Sequence, residues 1–111
     1  MTQIARLYGG SMYDLAAEEQ LTDTVLEQMQ TIRQLFRENP DYVKLLSEPS
    51  IQKEERTKLL DTAFGTDAER YLVNFLKLLC ERGILGEYSG CCEEFTRRYN
   101  VDHNIATAVV T

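Results

Sequence analysis

The sequence predicts an all-α protein, a bundle of six helices that ends near residue 104. Along most of the chain, apolar residues recur at spacings of three and four, the period of an amphipathic helix. Glycine or proline punctuates four of the predicted helices, at Pro40, Pro49, Gly65 and Gly83. Hydrophobic residues make up 43% of the 111 residues and charged residues 27%, which is ordinary for a globular domain.

The first predicted helix has an apolar stripe and a flank of small residues. The flank consists of Ala5, Gly9, Ala16 and Ala17, and the stripe consists of Ile4, Leu7, Tyr8, Ser11, Met12 and Leu15. Gly9 and Gly10 each cost a helix about 1 kcal/mol relative to alanine. We therefore expect another helix to approach this flank closely.

Two further helices are predicted before residue 49. The second helix covers about residues 23–38, and the apolar residues on one side of it are Val25, Met29, Ile32 and Phe36. Asn39, Pro40 and Asp41 are typical of the cap, first position and acidic first turn of a short third helix. Pro49 disfavours the helical conformation of Glu48 and so ends that helix.

The fourth helix is predicted to begin with Ser50 as its cap and to end at Gly65. The residues expected to face inward are Leu59, Leu60, Ala63 and Phe64. A charged run precedes them and consists of Lys53, Glu54, Glu55, Arg56 and Lys58. We interpret this run as a solvated helix face.

The fifth helix, residues 66–82, carries the most informative pattern. Thr66 and Glu69 have the spacing of a capping box, and Gly83 suits the helix end because it tolerates a positive φ. The core stripe consists of Ala68, Leu72, Phe75, Leu76 and Leu79, and a second apolar flank consists of Tyr71, Phe75 and Leu78. This width exceeds what one core contact requires, so we expect the fifth helix to contact something besides its own domain.

The sixth helix is predicted over about residues 85–99, and a different pattern follows it. Residues 105–111 are rich in β-branched side chains and have no helical period, which is typical of a strand. We therefore expect a six-helix N-terminal domain over residues 1–104, followed at 105–111 by the start of a truncated C-terminal domain or a linker.

Charge and composition weigh against several classes of partner. The net charge is −6 and the isoelectric point about 4.8, whereas nucleic acids and anionic membrane surfaces attract basic proteins. No apolar run approaches the ~20 residues of a membrane span. We expect no nucleic-acid partner and no direct insertion into a membrane.

The sequence predicts no catalytic residue, no cofactor and no metal site. His103 is the one histidine, lies beside Asp102 and is expected to be an inert surface residue. Cys91 and Cys92 would point about 100° apart on a helix, so with Cys80 they do not form a zinc spacing. A role in the core is expected for these cysteines, and oxidation-sensitive thiols are the alternative.

Several segments, read in order, resemble the delta subunit of the rotary ATP synthase, whose mitochondrial homologue is the oligomycin-sensitivity-conferring protein. The segment from Ala5 to Ala16 resembles the first helix of that family, and Asn39-Pro40 followed by Leu45 to Pro49 resembles its central motif. The later matches are Lys58-Leu59-Leu60, the segment Asn74 to Leu79, and Glu94-Phe95. The order and separation of these motifs carry the resemblance, although Ile84 stands where the family usually has an arginine.

The resemblance implies a non-catalytic stator subunit of a proton-translocating ATP synthase. In that family a six-helix domain sits on the catalytic head and holds the amphipathic N-terminal helix of an alpha subunit in a groove between its first and fifth helices. The residues that would line this groove here are Ile4, Tyr8, Ser11, Met12, Leu15, Tyr71, Asn74, Phe75 and Leu78. The missing C-terminal part would join the peripheral stalk b subunits, and the complex would lie peripherally on the cytoplasmic face of a bacterial cell membrane.

Two other hypotheses stay open at the level of the sequence. The chain could be a stand-alone helical adaptor or regulatory domain that binds an unrelated amphipathic peptide, since a fold does not fix a partner. A small helical enzyme is the third class, and the sequence offers it no nucleophile, base or metal cluster.

Overall fold

The computed structural model describes residues 2–103, and this part of the chain is mostly helical. No strand occurs among these residues, so the predicted all-α bundle of six helices is confirmed. The predicted strand at 105–111 lies outside the described residues. A 3₁₀ turn at Leu85–Glu87 leads into the last helix, and the helices in chain order are α1 (Gln3–Glu18), α2 (Thr22–Glu38), α3 (Pro40–Leu46), α4 (Lys53–Phe64), α5 (Arg70–Glu81) and α6 (Tyr88–Asp102).

The small-residue flank of α1 packs against α6. Ala5, Gly9 and Ala16 of the flank are buried, whereas Ala17 is exposed, and a Cβ atom added to Gly9 would lie 2.6 Å from the carbonyl oxygen of Cys91. The predicted close approach of another helix is therefore confirmed, and α6 is that helix. An ion pair of 2.6 Å between Arg98 and Asp14 also joins the two helices.

The centre of the bundle is filled mostly by side chains from α2 to α6, together with Met12 and Tyr13 of α1. The largest side chains that are fully buried there include Met29, Leu46, Leu60, Leu72, Leu76, Leu79 and Phe95. Burial of such apolar side chains is the main stabilising contribution to a fold of this kind. On α1, Ile4 and Leu7 of the apolar stripe remain exposed, whereas Met12 of the same stripe is buried.

The predicted caps of α4 and α5 are wrong. Ser50 donates through its hydroxyl and amide to the Glu48 carboxylate, and α4 begins three residues later at Lys53. At α5, Thr66 lies in a turn and the helix begins at Arg70. The Glu69 amide donates instead to Oε1 of Gln28 on α2 at 2.6 Å. A tertiary hydrogen bond thus replaces the predicted local one.

The junction of α2 and α3 uses its proline as predicted and its asparagine differently. Pro40 occupies the first turn of α3, but Asn39 makes no side-chain capping bond to that helix. Its Nδ2 donates to the carbonyl oxygen of Leu35 at 2.9 Å, so the side chain satisfies the end of α2.

The predicted end of α5 at Gly83 is confirmed. Gly83 has a φ of +70°, a conformation that glycine adopts without strain. The amide of Ile84 donates to Leu79 and that of Gly83 donates to Cys80, which is the Schellman pattern of helix termination.

Arg56 departs from the predicted solvated face of residues 53–58. Its side chain is only 7% exposed, and Nη1 donates to the carbonyl oxygen of Leu46 at 3.3 Å. The Cys80 thiol donates to the same oxygen at 3.3 Å. Leu46 ends α3, where carbonyl groups lack intrahelical donors, so a cation from α4 turns inward to satisfy one of them. Ala63, predicted to face inward, is exposed.

Candidate partner-binding groove

A groove runs between α1 and α5 because each of these helices packs mainly against a different neighbour. The main contacts of α1 are with α6, and those of α5 are with α4. The furrow left between α1 and α5 encloses about 320 Å³. Its lining residues are Ser11, Met12, Leu15, Tyr71, Asn74, Phe75 and Leu78.

Helical periodicity places these side chains along the same furrow. Ser11 and Leu15 are four residues apart on α1, and Tyr71, Phe75 and Leu78 recur at intervals of four and three on α5. Residues at these spacings lie above one another on one helix face. The sequence pattern therefore builds both walls of the groove.

The floor of the groove belongs to the core and its rim is partly exposed. Met12 is 3% exposed and Phe75 is 8% exposed, so both contribute to the stability of the fold. Leu78 is 39% exposed, and Leu15 and Tyr71 are half-buried. An apolar surface that is half open to water in this way is suited to a second apolar surface.

The groove is uncharged. None of the residues that line it carries a formal charge at neutral pH, although Ser11 and Asn74 supply polar groups at its edge. Lys77 of α5 is engaged elsewhere, in an ion pair of 2.7 Å with Asp61 of α4. Recognition here would therefore depend on apolar contact and shape, with few electrostatic contributions.

The structure brings seven of the nine predicted site residues into one hollow. The other two, Ile4 and Tyr8, lie on α1 before Ser11 and do not line the hollow itself. Ile4 is 44% exposed and Tyr8 is half-buried. That these nine residues bind a partner stays a prediction.

Leu7 is a residue that the predicted site omits, although it belongs to the apolar stripe of α1. It is 63% exposed, which is more than any other large apolar residue on α1. Its position three residues after Ile4 and four before Ser11 places Leu7 on the same exposed side of the helix, and this spacing could have added it to the predicted site.

The three cysteines occupy buried settings that give their thiols little reactivity. Cys80, Cys91 and Cys92 are buried, and burial raises the pKa of Cys91 to about 12 and that of Cys92 to about 11. A thiol is a poor nucleophile until it ionises, so these values favour the core role over the oxidation-sensitive one. His103 is exposed at the end of α6, where its ring stacks on Tyr99 at 4.0 Å.

Within residues 2–103, no group of three or more His, Cys, Asp and Glu side chains is placed to hold a metal ion. In the same part of the chain, no helix combines the length and the apolar character that crossing a bilayer requires.

Comparison with known proteins points to one family. The family model for the ATP synthase delta (OSCP) subunit matches residues 4–111. A protein named ATP synthase subunit delta from Lachnoclostridium phytofermentans is 30% identical, over 97% of this chain and 59% of its own length. Proteins of the same name from Picosynechococcus and Lactobacillus gasseri are 28% and 31% identical, over 100% and 95% of this chain. The chain spans about three fifths of the length of these relatives, 57% to 60%.

Proposed function

The chain belongs to the ATP synthase delta (OSCP) subunit family, and from this membership we propose that it is a non-catalytic stator component of a proton-translocating ATP synthase. A stator subunit holds the catalytic head still while the rotor turns within it. This work requires a rigid domain with a binding surface, and a helical bundle with an open apolar groove meets that requirement.

The groove between α1 and α5 is the proposed binding site for the N-terminal helix of one alpha subunit. The observation that carries this proposal is the convergence of seven uncharged residues from two helices on one hollow of about 320 Å³. An amphipathic helix can lay its apolar face into such a groove, with anchor residues at intervals of three and four. Ile4 and Tyr8 would extend the contact along α1 beyond the hollow.

The proposal divides the work between two parts of a longer protein. Residues 1–104 would form the N-terminal domain that holds the alpha subunit, and the part that begins near residue 105 would contact the peripheral stalk b subunits. The complex would lie peripherally on the cytoplasmic face of a bacterial cell membrane. The length of the relatives, of which this chain spans about three fifths, is consistent with such a second part.

Calorimetric titration with a peptide of the first ~25 residues of the alpha subunit tests the proposal, since a helix of that length can fill the groove. We expect one peptide to bind per chain. Leu78→Asp should weaken binding at least tenfold, about 1.4 kcal/mol, because the carboxylate would lose water inside the groove.

The chain offers a matched control for this variant. Leu45 on α3 is 40% exposed, almost the same as Leu78 at 39%, but it does not line the groove. Leu45→Asp should therefore bind the peptide like the parent. Circular dichroism would establish that both variants are folded. Equal affinities for the two folded variants, or no binding by the parent, would refute the proposal.

A further inference from the structure

A second hollow lies on another side of the bundle, between α2, α3 and the start of α6. It encloses about 330 Å³. The apolar part of its lining includes Phe36, Val43, Leu85 and Tyr88. Leu85 and Tyr88 are each 3% exposed and so belong to the core, whereas Phe36 and Val43 are half-buried. The floor of this second hollow is therefore apolar and formed by core residues.

Three cations border this second hollow, which we call the basic hollow. They are Arg33 and Arg37, one turn apart on α2, and Lys44 on α3. The chain has 12 basic residues against 18 acidic ones, so a quarter of its cations surround one cavity of an acidic protein. This concentration contrasts with the groove between α1 and α5, whose lining is uncharged.

Two of these cations have no carboxylate partner within the described range. Arg33 is held by Ser89 at 2.9 Å and by Glu93 at 3.2 Å. Neither Arg37 nor Lys44 takes part in any of the four ion pairs formed among residues 2–103. Their charges remain available to a partner.

Helix dipoles explain only part of this arrangement. Arg37 lies in the last turn of α2 and Lys44 in the last turn of α3, where a cation is favoured. That effect accounts for the sign of the charges on each helix. It does not account for an apolar hollow between them, nor for Arg33, which lies more than a turn before the end of α2.

We propose that the basic hollow is a docking site for an acidic amphipathic helix of a partner protein. An apolar side chain of that helix would cover Phe36 and Val43, and carboxylates one turn to either side would face Arg37 and Lys44. Apolar anchors of this kind supply most of the affinity, and the charges supply selectivity and faster association. This surface is additional to the alpha-subunit groove and does not depend on the function proposed for that groove.

The balance of the lining favours a helix over a small anion. A phosphate or sulfate ion would use the cations at the rim and would leave the apolar floor in contact with water. A helix that carries both apolar and acidic side chains matches both parts of the surface, and apolar surface of this kind is stabilised when it is covered.

The test uses two designed helical peptides of about 15 residues, long enough to form a helix on binding. Both carry the same leucine stripe, flanked by glutamates in one and by lysines in the other, and binding is followed by fluorescence anisotropy. The glutamate peptide should bind the 111-residue chain at least tenfold more tightly than the lysine peptide. The double variant Arg37→Glu/Lys44→Glu should reverse that order.

A control variant changes the net charge equally at a different place. Lys53 and Lys58 are exposed on α4, so Lys53→Glu/Lys58→Glu should leave the order of the two peptides unchanged. The affinity of Arg37→Glu/Lys44→Glu for the alpha-subunit peptide should equal that of the parent, which separates this proposal from the previous one.

Three results would overturn the proposal. The first is that the parent fails to bind the glutamate peptide. The second is that both double variants respond alike, which would indicate an effect of net charge only. The third is that inorganic phosphate at physiological ionic strength displaces the glutamate peptide, which would indicate a small-anion site.

Discussion

At Gly9 the backbone of α1 lies against that of α6, and the nearest atoms to an added Cβ would be those of Cys91 and Glu94. Two of these atoms belong to the backbone of α6 and cannot move by a simple rotation. The sequence carries a glycine inside a helix here because the space excludes a methyl group.

Replacement of Gly9 by alanine should therefore destabilise the protein, although alanine favours a helix by about 1 kcal/mol. We expect a net loss of about 1–3 kcal/mol in the free energy of unfolding, measured by urea denaturation, because the two helices must separate. Gly86→Ala is the control, since an added Cβ at Gly86 would meet no atom within 4 Å. A gain in stability for Gly9→Ala would contradict the described packing.

The buried thiols make the stability sensitive to alkaline pH. The pKa of Cys91 rises from 9.0 to about 12 and that of Cys92 from 9.0 to about 11, in both cases mainly through burial. Above about pH 9 the unfolded chain loses thiol protons that the folded chain retains. The folded state therefore binds more protons in this window, and its stability falls as the pH rises.

We expect the free energy of unfolding to hold steady up to about pH 8 and to decrease between about pH 9 and pH 11. Urea denaturation across this range would measure the slope. Cys91→Ala should reduce the slope, because one group that ionises only in the unfolded chain is removed. A slope that is unchanged in Cys91→Ala would show that other groups cause the alkaline loss.

For the helices, the sequence predicted which ones form and in what order better than it predicted the residues at which each begins and ends. Apolar spacing predicted each helix, and Gly83 predicted the end of α5, because these signals are local. The start of α5 was predicted four residues too early, since the Glu69 amide, which the capping box would pair with Thr66, donates instead to Oε1 of Gln28, a contact that only the fold supplies. The inward turn of Arg56 was missed for the same reason.

The start of α5 provides a direct comparison of local and tertiary capping. Gln28→Ala removes the acceptor of the Glu69 amide and should cost about 1 kcal/mol in the free energy of unfolding. Thr66→Ala should change it by less than about 0.5 kcal/mol, because the hydroxyl makes no capping bond. Thermal or urea denaturation of the two variants would decide the matter. A larger loss in the free energy of unfolding for Thr66→Ala than for Gln28→Ala would instead support the predicted capping box at Thr66.

The groove was predictable from the sequence to a large extent, whereas the basic hollow was not. Surplus apolar residues on the first and fifth helices, with the resemblance to the delta subunit, predicted nine residues, of which seven share the hollow. Arg37 and Lys44 lie on different helices, and their common border depends on how α2, α3 and α6 pack. No spacing along the chain encodes that arrangement.

At the scale of the whole molecule, the two surfaces should differ in their response to salt. The alpha-subunit peptide would enter an uncharged groove, so its affinity should change less than about threefold between low and physiological ionic strength. The glutamate peptide at the basic hollow should weaken markedly over the same range. Anisotropy titrations at several salt concentrations would measure both. A steep loss of affinity of the alpha-subunit peptide with increasing salt would indicate that it binds at charged residues instead, such as those around Lys53 and Lys58.

Nuclear magnetic resonance can map where a peptide of the alpha-subunit N-terminus binds on this chain. Addition of the peptide to the ¹⁵N-labelled chain should shift the amide signals of Ser11, Leu15, Asn74 and Leu78 most strongly, because these residues line both walls of the groove. The signals of Val43 and Ser89 at the basic hollow should stay in place. The largest shifts at the basic hollow, or shifts spread evenly over the bundle, would contradict the assignment of the alpha subunit to the groove between α1 and α5.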